Sequence, residues 1–146
     1  MAKTANIITL LCNKGGVGRS TTAVNIGWSL ADAGRHVLIC DLDSQANASY
    51  NLSKDYTVVE SGKNISQMMA SGTGSFSDYI SDTRHSRLKL LGSTLFTDKT
   101  EADLRRNQSM NCHRIFERKL DRSTREGFDY IIFDTPPSKS SILMLN

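Results

Sequence analysis

The chain has 146 residues, 38% apolar and 23% charged, the size and make-up of one globular domain, which excludes a disordered or fibrous segment. Cys12, Cys40 and Cys112 are far apart with no C-x-x-C pair, so neither a disulfide framework nor a metal knuckle is encoded. No apolar run approaches the roughly 20 residues that cross a bilayer, a cytoplasmic location is the default, and a formal charge of +3 permits contact with nucleic acid without arguing for it.

In chain order, Ile7 to Cys12 suits a buried strand. After a glycine-rich loop, a helix is predicted from Arg19 to Ala33, burying Ala23, Ile26, Gly27, Leu30 and Ala31, with Gly34 at a left-handed C-cap. Trp28 reads as partly buried packing. Val37 to Cys40 is apolar on both faces, as befits a parallel strand covered by helices on each side. Asp41 and Asp43 follow, two apart, so their side chains project to one side; a solvated turn is the competing reading.

From Ser53 to Arg87 the sequence is polar and rich in Ser and Gly, with one small helix expected at Ile65, Met68 and Met69. Gly72-Thr73-Gly74 is a loop breaker, and His36 and His85 have no evident partners. Leu88 to Leu91 is a third strand. A helix over 111–126 should bury Cys112, Ile115, Phe116 and Leu120. On its other face Arg114, Arg118 and Arg122 lie four apart, a ridge of like charge that would destabilise an isolated helix. A solvated face diluted by Glu117, Asp121 and Glu126 competes with an anion-contacting one. The last strand, Tyr130 to Phe133, ends in Asp134, and Pro136-Pro137 force an extended exit. The tail from Ser140 to Asn146 reads as a helix opening without a cap, so the chain is expected to be cut there.

The chemistry concentrates in Asn13-Lys14-Gly15-Gly16-Val17-Gly18-Arg19-Ser20-Thr21. Gly15, Gly16 and Gly18 let backbone N–H groups converge on an anion, and the following helix aims its positive end at the same point. The Walker A pattern asks for Gly, four residues, Gly, Lys, then Ser or Thr. Here Asn13 stands for the first Gly and Arg19 for the Lys, a wide planar fork in place of a compact ammonium.

Lys14 together with the loop resembles the deviant Walker A of the ParA/MinD family of ATPases, in which a signature lysine precedes the glycine pair. Val37 to Gln45, with Asp41 and Asp43, resembles that family's strand with two aspartates, and Phe128 to Ser138 its Walker B strand. The resemblance covers the whole chain and is nearest the small ParA type. It implies a doubly wound, mostly parallel α/β P-loop sheet with helices on both faces, residues 1–146 forming one domain that lacks its C-terminal strands and helices. It implies ATP/ADP and Mg²⁺ as ligands. Gly15, Gly16, Val17, Gly18, Arg19, Ser20 and Thr21 would cradle the phosphates, Ser20, Asp41 and Asp134 would hold the metal, and Asp43 would orient the attacking water. Lys14 would reach across an ATP-dependent homodimer to the partner's phosphate. By the same resemblance the function is a partition or cargo-positioning switch, associated with the nucleoid. It would bind DNA non-specifically, with Arg114, Arg118 and Arg122 as candidate contacts, and be stimulated by a ParB-type partner. The alternatives are a hydrolysis-impaired nucleotide-binding module and a MinD-like positioning ATPase. Ser44 stands where the family usually has proline, which leaves that loop less stiff.

Overall fold

The structure is a computed structural model that describes residues 4–71, 73–106, 116 and 119–137. Five strands form one sheet: β1 (Asn6–Leu10), β2 (Val37–Asp41), β3 (Ser81–Asp82), β4 (Leu88–Leu91) and β5 (Tyr130–Asp134), in the order β1-β5-β2-β4-β3. The contacts of β5 with β1 and β2 and of β2 with β4 are parallel, and β3 runs antiparallel to β4. The doubly wound α/β architecture implied by the motifs is therefore present.

The helices are α1 (Arg19–Asp32), α2 (Asn47–Leu52), α3 (Tyr56–Glu60), α4 (Ile65–Ala70), α5 (Thr97–Arg106) and α6 (Arg122–Gly127). A single 3₁₀ turn spans Phe76–Tyr79. Alternation along β2 assigns its side chains to two cores. Leu38 and Cys40 join Ile65, Met68, Phe76 and Phe116 on one face, while Val37 and Ile39 join Ala23, Ala31, Leu52 and Val59 on the other. α1 lies close to the sheet because Gly27 has no side chain; a Cβ there would come within 2.5 Å of the Ile39 side chain. Gly34, at φ +83°, ends the helix as its position predicts.

Four expectations need correction. The stretch from Ile7 was read as a buried strand, yet β1 is half-exposed, with Ile7 48% and Leu11 59% accessible. It is the terminal strand of the described sheet, and an apolar run carries no signal that says whether both flanks are paired. The connection 53–87 holds two α-helices where one was expected. α3 starts because the Asp55 carboxylate accepts the Thr57 N–H at 3.0 Å, and α4 because Asn64 Oδ1 accepts the Gln67 N–H at 2.9 Å.

His85 is not isolated: its Nε2 lies 3.3 Å from Asp32, its ring packs edge-on against Trp28, and its Nδ1 accepts the Arg87 N–H. The fourth correction concerns the helix over 111–126. Asp121 adopts extended geometry, accepts the Thr124 N–H at 2.7 Å and so starts α6 as a separate helix. Aspartate is a poor helix-interior residue and a strong N-cap, and the cap wins. Phe116 and Leu120 are buried as expected, whereas Cys112, Arg114, Ile115 and Arg118 lie outside the described residues. Arg122 thus does not extend one continuous ridge; it pairs with Glu126 at 2.6 Å.

Candidate functional site

The loop from Asn13 to Gly18 leaves β1 and turns directly into α1. Gly16 and Gly18 have φ of +71° and +85°, and a Cβ on either would meet nothing. Glycine is needed there for backbone conformation, not for space. Gly18 is the residue before α1, so that helix begins with no side-chain cap, and its first turn contains no acidic residue. The free N–H groups and the positive end of this 14-residue helix are left facing the loop, an arrangement that suits an anion.

An open cleft of about 460 Å³ lies against this turn, walled by residues 15–21 on one side and by Asp43, Gln45, Asn47, Asn51 and Pro137 on the other. Gly15, Gly16, Val17, Gly18, Arg19, Ser20 and Thr21 are thus brought together with Asp43. Lys14 is exposed and is not part of the wall.

Arg19 lies folded onto the loop. Its Nη1 donates to the carbonyls of Cys12, at 2.5 Å, and Lys14, at 3.0 Å, while Nε is buried without a hydrogen-bond partner. The wide guanidinium therefore fits under the loop by bracing its backbone.

The adjacent ends of β2 and β5 place Asp41 beside Asp134 in register. Asp41 is fully buried, and its carboxylate accepts three hydrogen bonds, from Asp43 N–H at 3.1 Å, Ser49 N–H at 2.8 Å and Ser49 Oγ at 2.7 Å. Burial pushes its pKa from 3.8 to about 7, with the Asp134 charge adding to the rise and Ser49 opposing it. Asp134 differs in one respect: both its oxygens are buried without a hydrogen bond of normal geometry, although the Ser20 hydroxyl lies near enough to favour the charged carboxylate. Burial raises its pKa, the charge of Asp43 adds to the rise, and the Ser20 hydroxyl and Arg19 oppose it. Crowded, buried carboxylates next to a hydroxyl fit a hard cation that keeps phosphate and water as further ligands. Among the described residues no three His, Cys, Asp or Glu side chains form a metal cage of their own, so the cation would come with phosphate.

Several cleft residues were not legible beforehand. Gln45, Asn47 and Asn51 line it from the start of α2, and Ser49 holds Asp41. Their only sequence signal is a polar string after the two aspartates. Ala46, fully buried with φ +53°, precedes α2 in a left-handed conformation that side chains disfavour.

The parallel sheet, the glycine loop at the head of α1 and the aspartate at the end of β5 define a P-loop NTPase-type fold. The AAA_31 family model, described as an AAA domain, matches residues 5–146. The chain belongs to this family and is a ParA-like member of it. It is 33% identical over 132 residues to the sporulation initiation inhibitor protein Soj of Bacillus subtilis, covering 90% of this chain and 50% of that protein. It is 33% identical over 153 residues to the chromosome partitioning protein ParA of Myxococcus xanthus, covering 99% and 49%. A structure of cobyrinic acid a,c-diamide synthase from Mycobacterium smegmatis, with bound ATP analog and magnesium, superposes with a TM-score of 0.82 at 27% identity, over 97% of this chain and 55% of that one. The chain spans about half the length of the curated relatives it matches. No helix among the described residues is long and apolar enough to cross a membrane.

Proposed function

We propose that the chain binds ATP with Mg²⁺ and hydrolyses it, as the switch of a partition or cargo-positioning system. The observation that carries this reading is the uncapped start of α1 at Gly18, set beside Ser20 and the buried carboxylate of Asp134. The loop N–H groups hold phosphate oxygens, and Ser20 and Asp134 supply the protein ligands of the cation. A bound Mg²⁺ offsets phosphate charge there. Asp41, whose carboxylate already accepts three hydrogen bonds, anchors the start of α2 and leaves the cation to its neighbour. Asp43 stands across the cleft from the loop and orients water. Its Oδ1 already accepts the Gln45 N–H at 2.9 Å, which fixes its direction.

In this reading Lys14, which is exposed and off the cleft wall, acts on a second copy, and the active form is an ATP-dependent dimer. DNA and a ParB-type partner are the macromolecular ligands in this reading, suggested by the partitioning relative. Arg114 and Arg118, which lie outside the described residues, remain the candidate DNA contacts of this reading, whereas Arg122 is paired with Glu126. The observation that favours a slow enzyme is Arg19, which spends its charge on loop carbonyls.

The test is phosphate release by the complete gene product beside Asp43→Ala. The variant should retain nucleotide binding and lose about 10² or more of the turnover, as when a positioned catalytic group is removed. Normal turnover in Asp43→Ala would remove that residue from the chemistry.

A further inference from the structure

Ser44 follows the residue assigned to water positioning, in the turn between β2 and α2, where a serine leaves φ free and adds a hydroxyl donor. The structure spends that donor. Ser44 is buried, and its Oγ donates to Asp98 Oδ2 at 2.7 Å, a contact between residues 54 apart in the chain. Asp98 sits in the first turn of α5, where a carboxylate is also favoured by the helix N-terminus.

The turn around Ser44 is closely tied: the Gln45 N–H donates to Asp43 Oδ1 at 2.9 Å, and the Ala46 N–H to the Asp43 carbonyl at 2.9 Å. A second route joins α5 to the site. Ser49 Oγ donates to Asp41 Oδ2 at 2.7 Å and accepts the Ser93 N–H at 2.8 Å, and the Ser93 hydroxyl meets Thr97 Oγ1 at 2.8 Å. Thr97 and Asp98, consecutive at the head of α5, therefore lead back to Asp41 and to the Asp43 turn respectively.

We propose that the Ser44–Asp98 hydrogen bond is a latch that holds the Asp43 turn against α5, so that both are positioning residues for hydrolysis. This rests on the hydrolytic reading above.

The experiment compares wild type with Ser44→Ala, Asp98→Ala, the double variant and Asp98→Asn, whose amide oxygen still accepts the serine hydroxyl. Each is checked for folding by circular dichroism. Amide exchange of Gln45 and Ala46 is read in the ligand-free protein, and kcat and KM are read separately. Ser44→Ala and Asp98→Ala should each speed exchange at both amides by about tenfold or more, the opening expected on losing one hydrogen bond to a charged group. They should lower kcat by about tenfold with KM within about twofold. The double variant should lose no more than either single one, and Asp98→Asn should recover most of both readouts. Unchanged exchange, additive losses, or a loss confined to KM would each overturn the latch. If wild type shows no turnover, the hydrolytic reading fails, and amide exchange alone then supports or overturns the tie.

Discussion

At the scale of residues the site is a balance of charge. Arg19 keeps the positive charge of the family's lysine but directs it at the Cys12 and Lys14 carbonyls, which must be given up before it can follow a phosphate. Arg19→Lys should therefore speed hydrolysis by at least about tenfold, the lower side of what one well-placed electrostatic contact is worth. Single-turnover kinetics would read this directly, and unchanged rates would mean that the loop has adapted to arginine. The buried carboxylates make a separate prediction. In the unfolded chain Asp41 ionises near 3.8 and in the fold near 7, so between those values the native state holds a proton that the unfolded state has lost. Stability is then full below about pH 4 and declines as pH rises through 7, by a few kcal/mol at most from this group. The raised pKa of Asp134 acts with the same sign. Asp55, Asp82 and Asp121 are held below the ordinary carboxylate range by their hydrogen bonds, and they titrate beneath this window. Urea unfolding should show lower stability at pH 8 than at pH 5, with the difference reduced in Asp41→Asn; stability rising over that interval would contradict the burial account.

At the scale of elements, short polar residues decide where helices start. Asp121 caps α6 through Thr124 and also accepts the Ser75 hydroxyl. Asp121→Ala should cost about 1–2 kcal/mol, or roughly 2–8 °C in Tm for a domain of this size, with nucleotide binding retained. A calorimetric Tm unchanged by the substitution would show that the break at residue 121 does not depend on this cap. The same residue explains a misreading. Apolar spacing through Phe116 and Leu120 predicted a helix running on to Glu126, because periodicity counts apolar positions and is silent about the cap between them. α3 and β3 were missed for related reasons: α3 starts at a single Asp cap, and a two-residue polar strand has no alternation to detect. By contrast α1, β2, β4 and β5 were legible, since each is a sustained apolar pattern bounded by glycine, aspartate or proline. In the site, the glycine loop and the three aspartates were legible from motif spacing. Ser49 and Asp98 were not, because their roles come from pairings with Asp41 and Ser44 that only the folded sheet creates.

At the scale of the molecule, the strand order puts the loop after β1, Asp41 at the end of β2 with Asp43 just beyond it, and Asp134 at the end of β5 at one end of a parallel sheet, where helix N-termini and strand C-termini meet. β5 lies between β1 and β2, so Asp134 is central and buried while β1 closes the described sheet with an open flank. The sheet thus brings together a helix N-terminus without a side-chain cap, the Ser20 hydroxyl and the buried carboxylate of Asp134. In the proposed reading, nucleotide with a divalent cation is the ligand of this set. The direct test is isothermal titration of ATP into the protein with Mg²⁺ and with chelator, beside Ser20→Ala and Asp134→Asn. Binding should be strengthened by Mg²⁺ in the wild type, and each variant should lose about tenfold or more of that Mg²⁺-dependent gain, the scale of one lost contact to a charged group. Binding that ignores both Mg²⁺ and Asp134→Asn, or no binding at all, would contradict the assignment of this cleft.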